Sequence, residues 1–93
     1  MPPSTWDLLR AKEAAQGLLD EMGIDAYLFD VEPRNGPWLL KVDCAIENGW
    51  QSTAVPFDKD DLLASQREAE IRSKLLESWR SKLAACKMAP KAE

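Results

Sequence analysis

The sequence predicts a small α+β domain: an α-β-β-β-α two-layer sandwich, with two helices packed on one face of a three-stranded antiparallel meander sheet. Three observations predict it. Apolar residues recur at helical spacing near both ends, apolar and polar residues alternate in the middle third, and turn residues separate the alternating stretches. The chain has 93 residues, the length of one domain. We expect that domain to span residues 5–87, between an N-terminal tail (1–4) and a disordered C-terminal tail (88–93).

The first predicted helix runs from about Thr5 to Met22. Ser4 can cap it, and Asp7 lies near its positive end. Gly23 suits the left-handed residue that often follows a helix. One arc of this helix collects the side chains expected to face the core: Leu8, Ala11, Ala14, Ala15, Leu18, Leu19 and Met22.

Period-two alternation predicts three strands, at residues 25–32, 38–46 and 50–55, the last stopped by Pro56. Asn48-Gly49 is typical of a two-residue type I′ hairpin turn, which would place Val42 opposite Val55. In that arrangement Trp50 lies on the outer face of the sheet, the face that the helices leave open. Leu28 and Leu39 point to the same face.

A second helix is predicted from Asp58 to about Lys87, with Phe57 and Leu62 as a hydrophobic staple. Its length would be roughly 43 Å, whereas the longest strand spans about 30 Å. The excess length has three explanations. The helix breaks near Ser65-Gln66, the first helix covers its end, or its C-terminal half is an interface.

Composition disfavours an enzyme. Histidine is absent, which removes the commonest general base and metal ligand, and no phosphate loop, Cys-x-x-Cys or nucleophile elbow is present. We therefore expect no enzymatic activity, no cofactor and no metal. Asp30, Glu32, Asp43 and Glu47 are expected on the outer face or its turns. Solubility and protection of the sheet edge explain them more simply than acid–base chemistry or cation binding.

The cysteines bear on the location of the protein. Cys44 and Cys86 are expected to be buried free thiols, since free cysteine packs as a small hydrophobe. The first residues lack a cationic stretch followed by an apolar one, so we expect no secretory signal, and no stretch approaches the roughly 20 apolar residues of a membrane span. A disulfide would require an oxidising compartment. We expect a cytoplasmic protein that does not contact the membrane.

The order helix, strand, strand, strand, helix, together with Gly36-Pro37 in the first turn between strands, resembles the double-stranded-RNA-binding domain over roughly residues 5–86. That resemblance implies recognition of duplex RNA by shape and phosphate contacts. In the family, lysines at the start of the second helix hold phosphates. Here that position reads Asp58-Lys59-Asp60-Asp61, which would repel them.

The function that the sequence favours is a non-catalytic protein–protein interaction or regulatory module, binding either another protein or a second copy of itself as a homodimer. The alternative is a nucleic-acid-binding domain that uses four bases: Arg67, Lys74, Arg80 and Lys87.

Candidate interface residues form two groups. Those on the second helix are Trp79, Leu83 and Leu76, with Glu68 and Arg72 beside them as either a surface ion pair or a half-buried pair that orients the partner. Those on the sheet and the first helix are Trp50, Leu39, Leu28, Trp6 and Leu9.

Overall fold

A computed structural model describes residues 5–88. Helix α1 (Thr5–Met22) is followed by strands β1 (Tyr27–Glu32), β2 (Trp38–Ile46) and β3 (Gly49–Phe57), then by helices α2 (Lys59–Ala64) and α3 (Ala69–Lys82). The strands form one antiparallel sheet in the order β1-β2-β3. The predicted α+β class and meander sheet are confirmed. Ser4, the predicted cap of α1, and the tails at 1–4 and 89–93 lie outside the described residues.

The core lies between the helices and one face of the sheet. Its strand side chains come from alternate positions of β2 and from the ends of β1 and β3, and all are buried: Val31, Trp38, Leu40, Val42, Cys44, Val55 and Phe57. Helix α1 lies against β1, and α3 lies against β3. The arc predicted on α1 supplies the opposing layer, with every member buried except Leu8, which is partly buried.

Three aromatic rings connect the sheet to the last helix. The rings of Trp38 and Phe57 meet edge to face, with centroids 6.5 Å apart. Phe57 meets Trp79 of α3 in the same way at 6.1 Å. Edge-to-face pairs stabilise a fold beyond the area that they bury, so this series fixes the position of α3 over β3.

The hairpin between β2 and β3 differs from the prediction. Ile46 pairs with Gly49, so Glu47 and Asn48 form the two-residue loop and Val42 lies opposite Thr53. A type I′ turn needs positive φ at both central residues. Among the described residues only glycines have positive φ, Gly49 being one at +140°, so the predicted turn type and register are wrong. The register is shifted by two residues, and every side chain therefore keeps its predicted face.

Strand β3 continues through Pro56 to Phe57, beyond the predicted stop. Proline is tolerated in a sheet where its nitrogen does not face a paired strand, as on an edge strand. Strand β3 is such an edge. The two extra positions bring Phe57 opposite Trp38, which accounts for the contact between their rings.

The predicted second helix is interrupted, which is one of the three explanations that the sequence offered for its length. Helix α2 ends at Ala64, and α3 starts at Ala69. Ser65 is buried, and its hydroxyl donates a 2.5 Å hydrogen bond to the carbonyl of Leu62. Such a bond satisfies a carbonyl at the helix end without continuing the helix. The break occurs at the position where the sequence allowed one.

The segment after α3 is bonded to the C-terminal end of β2 and to the residues just before β1. Cys86 forms a disulfide with Cys44 of β2, so the prediction of two free thiols is wrong. The Lys87 amide donates to the Ala45 carbonyl, and the Lys87 carbonyl accepts from Asp25, both at 2.8 Å. Met88, assigned to the tail from sequence, forms a β-bridge with Ile24.

Candidate functional site

The outer face of the sheet is not covered by any described element. Its side chains come from the positions of the three strands that alternate with the core positions. Those on β1 are Leu28, Asp30 and Glu32; on β2, Leu39, Lys41, Asp43 and Ala45; on β3, Trp50, Ser52, Ala54 and Pro56. We call these eleven residues the outer face.

Large apolar side chains are exposed on the outer face. Trp50 is 60% exposed and Leu28 is 67% exposed, while Leu39 is partly buried. Trp50 lies opposite Ala45, and Leu39 lies opposite Pro56, so apolar groups occupy both ends of the β2–β3 pair. Exposed tryptophan is enriched where proteins bind one another.

Charged and polar groups occupy the centre of the outer face. Asp43 lies between Leu28 and Ser52, and the Ser52 hydroxyl donates a 2.5 Å hydrogen bond to its Oδ1. Lys41, two residues before Asp43 on β2 and therefore next to it on this face, lies between Asp30 and Ala54. Two open depressions meet at these residues, since Lys41 and Asp43 line both; the larger has a volume of about 290 Å³.

Each acidic group of the outer face has its own partner. Glu32 accepts a 2.6 Å bond from Arg34 and lies 3.6 Å from the Lys41 Nζ; the Arg34 bond is the main reason that the pKa of Glu32 falls below its ordinary value. Asp30 lies 3.5 Å from the Nζ of Lys12, at the β1 edge. Asp43 is held only by Ser52, and within residues 5–88 no cation lies within ion-pair distance of it.

The carboxylates therefore do not converge. Three of the four acids singled out from sequence lie on the outer face, and Glu47 lies in the hairpin turn. Within residues 5–88, no group of three or more acidic or cysteine side chains could hold a metal ion. No helix in that part of the chain is long and apolar enough to cross a membrane.

The side chains predicted as an interface on the second helix lie in the core of this structure. Trp79 and Leu83 are each 1% exposed and Leu76 is 9% exposed, because the break after α2 lets α3 turn these side chains into the core. They are not available to a partner.

The predicted Glu68–Arg72 pair does not form either. The guanidinium of Arg72 donates to Glu21 of α1 at 3.2 Å instead. Glu68 is the N-cap of α3 with an extended backbone, its carbonyl accepts the Arg72 amide at 3.1 Å, and its side chain is exposed.

The second group of candidates is divided between two surfaces. Trp50, Leu39 and Leu28 share the outer face. Trp6 and Leu9 are exposed on α1, which packs on the other face of the sheet, so they belong to a separate surface. The four bases proposed for nucleic-acid binding are all exposed, but three of the four residues at the start of α2 are acidic and exposed.

The sequence did not single out Lys41 and Ser52, although both follow the same alternation as Trp50. Their significance depends on which side chains lie across from them, and this depends on the register. A pattern within one strand shows which face a side chain is on but not its neighbours on other strands.

Comparisons of the chain with protein families, curated proteins and solved structures return no match. Functional inference for this chain therefore rests on the surface itself.

Proposed function

We propose that the protein is a non-catalytic protein–protein interaction module and that it binds through the outer face. The observation that carries the proposal is an exposed Trp50 and an exposed Leu28 on a sheet face that no described element covers. Covering these side chains removes apolar area from water, which is the main favourable term in protein association.

The composition of the outer face supports binding to protein rather than small-molecule chemistry. Apolar side chains occupy six of its eleven positions, and a polar strip crosses its centre at Lys41, Asp43 and Ser52. Protein interfaces combine apolar anchors with a few paired charges and hydrogen bonds in this way. Small-molecule sites are more often concave pockets that bury most of the ligand, whereas both depressions here are open.

The test compares two tryptophans of similar exposure on different surfaces. The chain is immobilised and exposed to a lysate of its own cells, as the native sequence and with Trp50→Ser plus Leu28→Ser. We expect at least one protein, which can be the chain itself, to be retained by the native sequence and lost with the outer-face variant. Trp6→Ser plus Leu9→Ser is the matched control, since it removes the same residue types from α1, and it should retain that protein.

Retention of the same set of proteins by the native chain and the outer-face variant would contradict the proposal. Loss of a partner with the α1 variant alone would move the binding surface to Trp6 and Leu9. Circular dichroism of each variant checks that the fold is intact, as expected for substitutions at exposed positions.

We propose a cytosolic location for the form of the protein in which both cysteines are reduced. Disulfides persist in oxidising compartments and are rare in the cytosol, so a cytosolic form would carry Cys44 and Cys86 as thiols. Alkylation of the protein in acid-quenched cells distinguishes the two forms. Full protection of both cysteines from alkylation would argue against the cytosol.

A further inference from the structure

We infer that the partner of the outer face is a second copy of this chain, packed face to face with its strands reversed. The inference rests on the proposed function and names the partner. It comes from the arrangement of charges around Lys41 and Asp43, which makes the outer face complementary to itself in one orientation and repulsive in the other.

The outer face consists of four rows that run across the three strands. Asp43 belongs to the row of Leu28 and Ser52, and Lys41 belongs to the next row, with Asp30 and Ala54. These two rows are flanked by the row of Ala45 and Trp50 on one side and by the row of Glu32, Leu39 and Pro56 on the other. The centre of the outer face thus lies between one acid and one base on the same strand.

A two-fold axis through that centre, in the plane of contact and perpendicular to the strands, exchanges the rows but keeps the strands. Asp43 of each copy then lies over Lys41 of the other, which gives two identical ion pairs. Trp50 lies over Pro56, and Ala45 lies over Leu39, so apolar side chains meet at both ends. A two-fold contact requires this kind of self-complementarity.

The alternative two-fold axis runs along the strands. It would place Lys41 over Lys41 and Asp43 over Asp43, and like charges facing each other across an interface cost several kcal/mol. Sheets that pack face to face align their strands to within about 30°, so these two orientations are the relevant ones. The charges select the one with reversed strands.

The ion pairs within one copy leave both central groups available. Asp43 has one short hydrogen bond from Ser52 and, among residues 5–88, no cation partner. Lys41 lies 3.6 Å from Glu32, but Glu32 also pairs with Arg34 at 2.6 Å and would keep that partner if Lys41 turned to the other copy. On β1, Leu28 would lie over Asp30, which Lys12 pairs with from the edge of the sheet. No group would lose its only partner on association.

The size of the outer face predicts a weak dimer. Strands β2 and β3 have nine residues and β1 has six, so lengths of roughly 30, 30 and 20 Å at about 4.8 Å spacing give a flat area of about 400 Å² per copy, before the relief of the side chains is counted. Stable interfaces bury about 800 Å² per partner. Interfaces of about 1,600 Å² in total range from micromolar to picomolar affinity, so we expect a monomer–dimer equilibrium weaker than about 1 µM for an interface of half that size.

Charge reversal tests the arrangement by sedimentation velocity over micromolar to millimolar protein concentrations. Lys41→Asp places aspartate over aspartate, and Asp43→Lys places lysine over lysine, so each should weaken the dimer by about a hundredfold or more. Mixing the two variants places opposite charges over each other again and should restore association. Lys74→Asp, an identical charge change at an exposed position of α3, is the matched control and should leave the dimer unchanged.

The double variant Lys41→Asp/Asp43→Lys fixes the orientation. With reversed strands its two ion pairs re-form with their charges exchanged, so it should dimerise within a fewfold of the native chain. In the other orientation like charges would still face each other, and it would remain repulsive.

Three results would overturn the inference: a chain that stays monomeric throughout, a dimer insensitive to both single reversals, or a double variant that remains monomeric while the mixture associates. The chain could instead be monomeric and bind a different protein that Trp50→Ser plus Leu28→Ser releases. That result would overturn this inference alone and leave the proposed function standing. If the chain neither dimerises nor loses a bound protein on these substitutions, the inference and the proposed function are both contradicted.

Discussion

Tyr27 shows how one side chain connects the helix and sheet layers. Its hydroxyl donates a 2.6 Å hydrogen bond to Asp20 near the end of α1. Partial burial is the main reason that the pKa of Tyr27 rises from 10.0 to about 12, and the hydrogen bond and negative charge of Asp20 add to it. The folded state therefore favours the neutral phenol.

This shift predicts a loss of stability in alkali. Below pH 10 the phenol is protonated in both states, and its contribution is complete. Between pH 10.0 and about 12 the unfolded chain releases the proton while the folded chain keeps it, so the free energy of unfolding falls as pH rises. Tyr27 is the only tyrosine, so the tyrosinate absorption of the native protein should titrate near 12 and that of the unfolded protein near 10.

Asp20→Asn is the control for that titration. It removes the negative charge but leaves the burial, which is the larger cause. We therefore expect an intermediate pKa for Tyr27, between the native and unfolded values. A native chain whose tyrosinate band already appears at the unfolded midpoint would contradict the contact between Tyr27 and Asp20.

At the scale of single elements, α2 is a short helix that depends on its cap. The Asp58 carboxylate accepts a 3.0 Å hydrogen bond from the Asp61 amide, which would otherwise lack a partner in the first turn. Asp58→Ala should lower the free energy of unfolding by about 1 kcal/mol, measured by urea denaturation. Asp58→Asn keeps a capping oxygen and should stay close to the native value. Equal losses in the two variants would show that charge, not the cap, matters at this position.

The elements also show what can be predicted from sequence and why the rest cannot. The bounds of α1 and β2 match their predictions because each depends on a periodic pattern within one segment. The hairpin register was wrong because Asn48-Gly49 is a local signal, whereas the register here also reflects distant pairs such as Trp38 with Phe57. Two-residue periodicity nevertheless put Trp50 and Leu28 on the correct face.

The helix break had a different cause. The sequence from Asp58 to Lys87 contains no glycine or proline, so local propensity favours one continuous helix. Helix α2 lies against α1, whereas α3 also lies against β3, so the two segments pack on different elements and tertiary packing overrides propensity. The break between α2 and α3 also explains why Trp79 and Leu83, predicted to contact a partner, lie in the core.

At the scale of the whole molecule, the Cys44–Cys86 disulfide links the middle of the sheet to the segment after α3 across 42 residues. Its pairing was not predictable, because burial alone does not show that two distant cysteines meet. Closing a loop of this length removes entropy from the unfolded chain worth about 4 kcal/mol. In guanidinium denaturation with a thiol reductant, the free energy of unfolding should fall by about that amount, and an unchanged curve would contradict the bond.

Pro56 restricts how copies of this chain can add to one another. Strand β3 is an edge, and unpaired edges invite strand-by-strand growth into fibrils. A proline offers no amide to an incoming strand, so sheet extension along β3 would lack a donor at that position. Each strand added at an edge leaves a new edge, so that kind of growth can continue indefinitely. A face-to-face dimer instead covers the outer face of both copies. Placing proline at the rim and tryptophan on the face thus favours a finite pair over a polymer.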